Sequence, residues 1–548
     1  MREPYSATRG FVTLLAVLSA LVSFGAAGRD ASILTAVRQG DPAAVRALID
    51  RKADVNAVDV DGTTALHWAA HRDSLDMVDL LIGAGANARA ANRYGVTPIA
   101  LAATNGNAAI IRRLLAAGAD PNVTLTGGET VLMSAARTGN VDVLRTLLEV
   151  GADVNVREST RGQTALMWAA AQGNADAVKL LIKAGAAVDV RSHGPTQPIA
   201  KGDRSTSTYQ SDVDPDRVAR GAPPDEPRLN SAISRDYRRP GRIDAYTPLL
   251  FAVRAGHLDA VRALVDGGAS VNDAAPDGTS ALVIAAINAH WELGALLLDC
   301  GADPNAAAQG WTPLHQVART RTLNIGQFPY PVPTGRLTGL DLARKLIERG
   351  ANVNARMTKE IVDGYRNRFN RVGATPLLLA AKGADVEMIR LLAANGADHR
   401  LANVQNTTPL MAAAGVDMLY VNEDSGTNED AVEAVKVLLD LGSDVNAVNM
   451  RSETALHGAA GRGSNPIVRL LADKGAKLDA KNKRGFTPLQ IANAEGDTTT
   501  FQRRPETVEL FRELMIARGI PVDESSFVSP VVRTAPARSP TPKPAPPR

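Results

Sequence analysis

The chain repeats itself every 33 residues, and nothing else in it restricts the fold as strongly. Strings such as DGTTALHWAA, YGVTPIALAA, GGETVLMSAA and RGQTALMWAA recur, each opened by a Thr or Ser. Those openings are Thr64, Thr97, Thr130, Thr164, Thr247, Ser280, Thr312, Thr375, Thr408, Thr454 and Thr487, spaced by 33, 33, 34, 83, 33, 32, 63, 33, 46 and 33 residues. At this period each copy is too small to bury its own apolar face. It must bury that face against its neighbours, so the expected architecture is a stack. The three long spacings predict loops inserted between or within copies.

Every copy carries the same local instructions. A Gly supplies a turn, and the Thr that follows predicts a helix N-cap. Pro98, Pro248, Pro313, Pro376, Pro409 and Pro488 then stand at the first helical position, where a missing N–H costs nothing. Leu and paired Ala at fixed offsets make a narrow helix face that permits close approach. A second run, such as DVLRTLLEVGAD or AIIRRLLAAGAD, has apolar residues at helical spacing. It ends on Gly118, Gly151, Gly185, Gly301 or Gly350, residues suited to a left-handed C-terminal cap. ADVNA-type residues then lead through a hairpin to the next Gly-x-Thr.

Gly-x-Thr-Pro-Leu-His followed by Leu-Leu-x-x-Gly-Ala-Asp resembles the ankyrin repeat, over about residues 30–520. The resemblance implies an all-α repeat solenoid of about twelve ankyrin repeats with four insertions. Each repeat would be helix–turn–helix plus a hairpin loop. A degenerate first unit at 31–56 and a last unit containing PETVELFRELMIARG would cap the ends. The organisation expected is a signal peptide at 1–28, repeats 1–5 at 29–190 and a disordered insertion at 191–244. Repeats 6–12 follow at 245–523, with insertions near 320–338, 357–372 and 416–430, and then a Pro-rich disordered tail at 524–548.

The insertions differ in composition. Residues 191–244 are rich in Pro, Ser, Asp and Arg and poor in apolar residues, so they lack the surface to order themselves. GQFPYPVPTG favours extended polyproline-like backbone. MTKEIVDGYRNRF offers Tyr365 and Phe369 as exposed candidates, and VDMLYVNEDSGTNED is acidic. Placed on the repeat, the insertions at 191–244 and 357–372 interrupt the hairpin edge. Those at 320–338 and 416–430 fall between the two helices of one unit, on the opposite edge.

Arg2 and Arg9 precede the run Phe11–Phe24, which is followed by Gly25, Ala26, Ala27 and Gly28. Fourteen residues fall short of the ~20 needed to span a bilayer, so this is a cleaved export signal. The mature chain is then periplasmic or secreted, with no stable membrane insertion. Cys300 is the only cysteine, which rules out an intramolecular disulfide. Basic and acidic residues number 61 and 58, which gives no electrostatic basis for nucleic acid.

No catalytic or metal-binding pattern, and no cofactor, emerges. By the resemblance, His67, His315 and His457 occupy the repeat's structural His position and link neighbouring hairpins, while His257 and His290 open second helices. His71, His193 and His399 lie in different units without a Cys partner. Asp212, Asp214 and Asp216 alternate as in a calcium loop but lack its turn Gly and closing Glu. The resemblance places a binding surface on the hairpin tips and the concave helix face. The matching residues are Arg93, Tyr94, Trp68, His71, Arg72, Arg137, Arg161, Trp168, Tyr246, Phe251, Arg254, Trp311 and Arg319. Aromatic and Arg side chains are common interface anchors. Trp68, Trp168 and Phe251 equally suit packing between units.

The function expected is a non-catalytic, exported, monomeric scaffold for a protein partner, docked on the hairpin edge around repeats 6–9. The alternatives are a secreted effector that binds a host protein and, further off, an enzyme with its chemistry in an insertion.

Overall fold

Each Thr or Ser of the repeated string starts a helix. The computed structural model describes residues 32–193, 245–323, 331–361, 368–418, 426–494 and 503–522. The export signal at 1–28, residues 194–244 of the first insertion, Tyr365 and the 524–548 tail lie outside the described residues.

The chain divides into two compact units at Ala187–Val188. The first holds five helix pairs: α1 (Ile33–Gln39) with α2 (Pro42–Asp50), α3 (Ala65–His71) with α4 (Leu75–Gly83), α5 (Pro98–Asn105) with α6 (Ala108–Ala116), α7 (Val131–Thr138) with α8 (Val141–Glu149), and α9 (Ala165–Gln172) with α10 (Ala175–Lys183). Among the described residues, the second holds seven. Its first four are α11 (Pro248–Ala255) with α12 (Leu258–Asp266), α13 (Ala281–Ile287) with α14 (Trp291–Asp299), α15 (Pro313–Arg321) with α16 (Gly339–Glu348), and α17 (Pro376–Lys382) with α18 (Val386–Ala394). The last three are α19 (Pro409–Ala414) with α20 (Asn428–Asp440), α21 (Ala455–Arg462) with α22 (Asn465–Asp473), and α23 (Pro488–Ala492) with α24 (Pro505–Ala517). Within each unit, odd-numbered helices pack on the next odd-numbered helix and even on even, so two helix layers run the length of each unit. Numbered by pair, these are repeats 1–5 and 6–12.

Small residues set the spacing. Ala69 and Ala70 on α3, Ala102 and Ala103 on α5, and Ala459 and Ala460 on α21 are fully buried between neighbouring inner helices. The N-cap role of the repeated Thr is explicit: Thr130 accepts from the Met133 N–H at 3.2 Å and Thr375 from that of Leu378 at 3.2 Å. Thr97 caps α5 without a side-chain bond. The connecting turns carry isolated antiparallel bridges, at Val58–Thr64, Thr124–Thr130 and Ala274–Ser280.

Cross-linking between repeats goes beyond what the string itself suggests. The Asn of the ADVNA segment reaches the next repeat with both ends of its amide. Asn122 Nδ2 donates to the Gly151 carbonyl at 3.2 Å, and the Asp153 N–H donates back to Asn122 Oδ1 at 2.8 Å. Asn56, Asn155, Asn272, Asn305, Asn354 and Asn446 make the same two bonds. The three repeat-motif His residues add a second ladder. In each, the Thr N–H donates to Nδ1 and Nε2 donates to a carbonyl of the following hairpin: Val96 for His67, Ala374 for His315 and Phe486 for His457. Accepting at Nδ1 while donating from Nε2 requires the neutral ring. Burial holds all three imidazoles below their usual range, His315 at about 4.

The structure alters the sequence reading of the insertions in three places. Phe369 is buried rather than exposed, at 3 %. Nearby, the ends of its insertion zip together through the Met357 N–H to Ala374 O and the Gly373 N–H to Met357 O, at 2.9 and 2.7 Å. A fifth departure from the period, residues 493–504, separates α23 from α24, whereas Gly173 and Asn174 alone separate α9 from α10. The third concerns 416–430. Past the left-handed Gly415, its first residues turn back over the inner-helix face.

Candidate protein-binding face

Two offsets from the capping Thr point away from the helix–helix contacts. The fourth residue after it is Trp68, Leu101, Ser134 and Trp168 in repeats 2–5, and the seventh is His71, Thr104, Arg137 and Ala171. The Ala69, Ala102 and Ala169 that follow them are buried, yet Trp68, Leu101 and Trp168 stay half exposed, while Ser134 is buried. These positions form the open inner face of the first unit, and the hairpin tips rim it.

Cations stack on its aromatic rings. Arg38 lies 4.8 Å from the Trp68 ring centre while pairing with Asp59, and Arg137 lies 6.0 Å from that of Trp168. Trp68 also meets His71 edge to face at 6.0 Å. Burial lowers the His71 pKa, and Arg72 pushes in the same direction, so this face carries a neutral imidazole at neutral pH. The Trp68 and Trp168 indole nitrogens are shielded and find no acceptor. At the tips, the Arg93 guanidinium sits 4.8 Å over Tyr94 and donates to its hydroxyl, and Tyr94 is 38 % exposed. Exposed Arg72 donates to the Arg38 carbonyl at 2.9 Å. Exposed Arg161 stands on a tip whose shape comes from Glu158, a buried carboxylate that accepts from the N–H groups of Thr160, Arg161 and Gln163.

In the second unit the equivalent face is more closed. Tyr246 and Phe251 contact edge to face at 5.7 Å, and Phe251 is buried. Burial raises the Tyr246 pKa. Arg254 is half-buried, and its carbonyl accepts from His290 Nε2 at 3.2 Å. Trp311 does not stand free at a tip: its indole donates to Gln316 Oε1 at 3.1 Å, and Gln316 in turn donates to Thr320. Arg319 is half-buried one turn further along α15. At the fourth offset Ile284, Gln316, Leu379 and Ala412 are all buried.

Some exposed apolar residues escaped the sequence reading. Ile287, at the seventh offset between Arg254 and Arg319, is 38 % exposed, and the tips of repeats 10 and 11 display Val404 and Met450. Ile287 stands at the same offset as Arg254 and Arg319, and an aliphatic side chain there is not by itself a sign of an interface anchor. Among the described residues, no group of three or more His, Cys, Asp or Glu could hold a metal ion, and no helix is long and apolar enough to cross a membrane.

Comparison with known proteins agrees with this geometry. A three-copy ankyrin-repeat family model matches residues 33–125, 102–192, 230–308, 249–328 and 425–510, and a single-repeat model matches 372–404. Human ankyrin repeat and SOCS box protein 16 is 30% identical over 247 residues, 45% of this chain and 47% of the relative. The E3 ubiquitin-protein ligase KEG of Arabidopsis thaliana is 28% identical over 45% of this chain and 16% of its own length. A Caenorhabditis elegans homolog of transient receptor potential cation channel subfamily A member 1 is 31% identical over 31% of this chain and 12% of its own. The chain spans less than half the length of each of these relatives. With the matched repeats covering well over half of it, the chain belongs to the ankyrin-repeat family.

Proposed function

We propose that this chain is an exported, non-catalytic scaffold that holds a protein partner on its hairpin tips and inner helix face. The observation that carries the reading is the open face of repeats 2–5. There, half-exposed Trp68 and Trp168 recur at one offset, each stacked with an arginine, beside exposed Tyr94, Arg72 and Arg161. Side chains of this kind dominate interface energetics when a partner desolvates them. Export is supported by Arg2 and Arg9 ahead of the Phe11–Phe24 run. A binding role is supported by the relatives too. Their names describe a SOCS-box protein, a ubiquitin ligase and a cation channel, so no single activity accompanies the matched segment.

The test uses the chain from residue 29 onward, incubated with envelope extract from its own source and cross-linked, with the partner identified by mass spectrometry. The double change Tyr94→Ala, Arg161→Ala should then weaken the purified complex at least tenfold while the thermal midpoint stays put. Undiminished binding would remove the face of repeats 2–5 from the proposal. N-terminal sequencing of the native protein tests export separately, with a terminus between about Gly25 and Arg29 expected.

A further inference from the structure

In repeats 10 and 11 the inner face is occupied by the chain's own residues. After α19 the chain reverses at Gly415 (φ 110°), with the Val416 N–H donating to Met411 O at 2.9 Å, and Asp417 is again left-handed (φ 67°). Val416, Asp417 and Met418 are all buried, at 3, 6 and 3 % exposure. The surface they cover is built to receive them. Gly458 stands on α21 at the offset that carries Trp68 and Trp168 in the first unit. A Cβ there would run into the Val416 backbone nitrogen and lie 2.8 Å from the Gly415 carbonyl carbon. Ala412 fills the same offset on α19. Two consecutive repeats have thus lost side-chain volume where a segment of chain lies.

The segment is held by a charge as well as by packing. The Asp417 carboxylate has no exposed surface. It accepts from the Thr407 hydroxyl at 2.9 Å and pairs with Arg451 from the next hairpin. Glu453 holds that guanidinium in place, with Oε2 2.8 Å from Nη2. A buried carboxylate needs such partners to be tolerated. The three residues together present an acid between two apolar side chains to a small-residue groove with one arginine at its rim.

We infer that the inner face of repeats 10 and 11 is a peptide-binding groove closed in cis by residues 415–418, with Asp417 on Arg451 as its latch. The ligand it fits in trans is a short turn-forming segment with one carboxylate flanked by apolar side chains. This rests on the inner face being the binding face, and the assay below reads the groove directly, without the native partner. Failure here leaves the reading of repeats 2–5 standing, and failure at Tyr94 and Arg161 leaves this one standing.

The experiment replaces residues 416–426 with a Gly-Ser linker of equal length, keeping the connection to α20, and adds a fluorescent peptide of residues 412–418. The linker variant should bind the peptide at least tenfold more tightly than the unaltered chain, whose groove is filled. A peptide carrying Asp417→Asn should lose about tenfold, as expected for a charge-assisted contact. If the variant keeps native helix content yet binds neither peptide, or binds both equally, the inference fails. Should the variant not fold, Arg451→Gln in the full chain gives a second reading by hydrogen exchange. The Val416 amide should lose protection while those of α21 keep theirs, and retained protection at Val416 overturns the latch.

Discussion

Repeats 2–5 and repeats 10–11 are built on the same chassis, yet one inner face is open and the other filled. Capping Thr, paired Ala and terminal Gly are alike in both. The difference lies at one offset, where repeats 2, 3 and 5 have Trp68, Leu101 and Trp168 and repeats 10 and 11 have Ala412 and Gly458. In the first case bulk at that position makes a surface. In the second its removal makes room for Val416–Met418, and Arg451 supplies the charge that lets Asp417 stay buried. Binding character in such a stack is therefore decided by side-chain volume at the offsets that packing leaves free, not by the residues that define the repeat.

Bulk moved from the open face to the filled one has the largest expected effect. Gly458→Trp puts the repeat 2 residue onto the filled face, where even a Cβ collides with backbone. It should cost about 3 kcal/mol by overpacking and strip hydrogen-exchange protection from Val416. A stable variant with that amide still protected would mean that the groove is not tightly occupied.

Acid should separate the two units next. His315 and His457 lie in the second unit and His67 in the first, and His315, with a pKa of about 4, is the most deeply buried of the three. Its native state binds fewer protons than the unfolded chain between pH 6.5 and 4, so its contribution is complete above pH 6.5 and drains away as pH falls through that window. A shift of this size corresponds to about 3 kcal/mol. Thermal melts from pH 7 to 4 should show the second unit loosening first. His315→Gln should flatten the dependence, because Gln490 already performs this capping role in repeat 12, its Oε1 accepting from the Thr487 N–H at 3.0 Å. An unchanged pH profile in that variant would assign the acid sensitivity elsewhere.

The Asn ladder should respond more gently and similarly in both units. Asn122→Ala in the first and Asn305→Ala in the second each remove two bonds between repeats, and each should cost about 1 kcal/mol in a denaturant melt. Markedly unequal costs would show that the units differ in their frames as well as in their faces. Smallest of all, Tyr94→Ala should shift stability by less than about 0.5 kcal/mol, since an exposed tip residue contributes little to packing.

The chassis is legible in the amino-acid sequence. The period, the Thr caps, the first-turn Pro residues and the closing Gly residues act within a few bonds of themselves, so each could be read locally, and the structure places them at the expected helix ends. The structural role of His67, His315 and His457 was legible for the same reason, because the repeat brings each to the same neighbour every time. Which free offsets stay exposed depends on long-range packing. Trp311 turned onto Gln316, Phe369 went inside, and residues 416–418 folded back over α19 and α21, since each depends on volume left by residues tens of positions away. A repeat string specifies its own contacts with the next copy, but an insertion finds its resting place by exclusion, in whatever space the small residues of two other repeats leave unfilled.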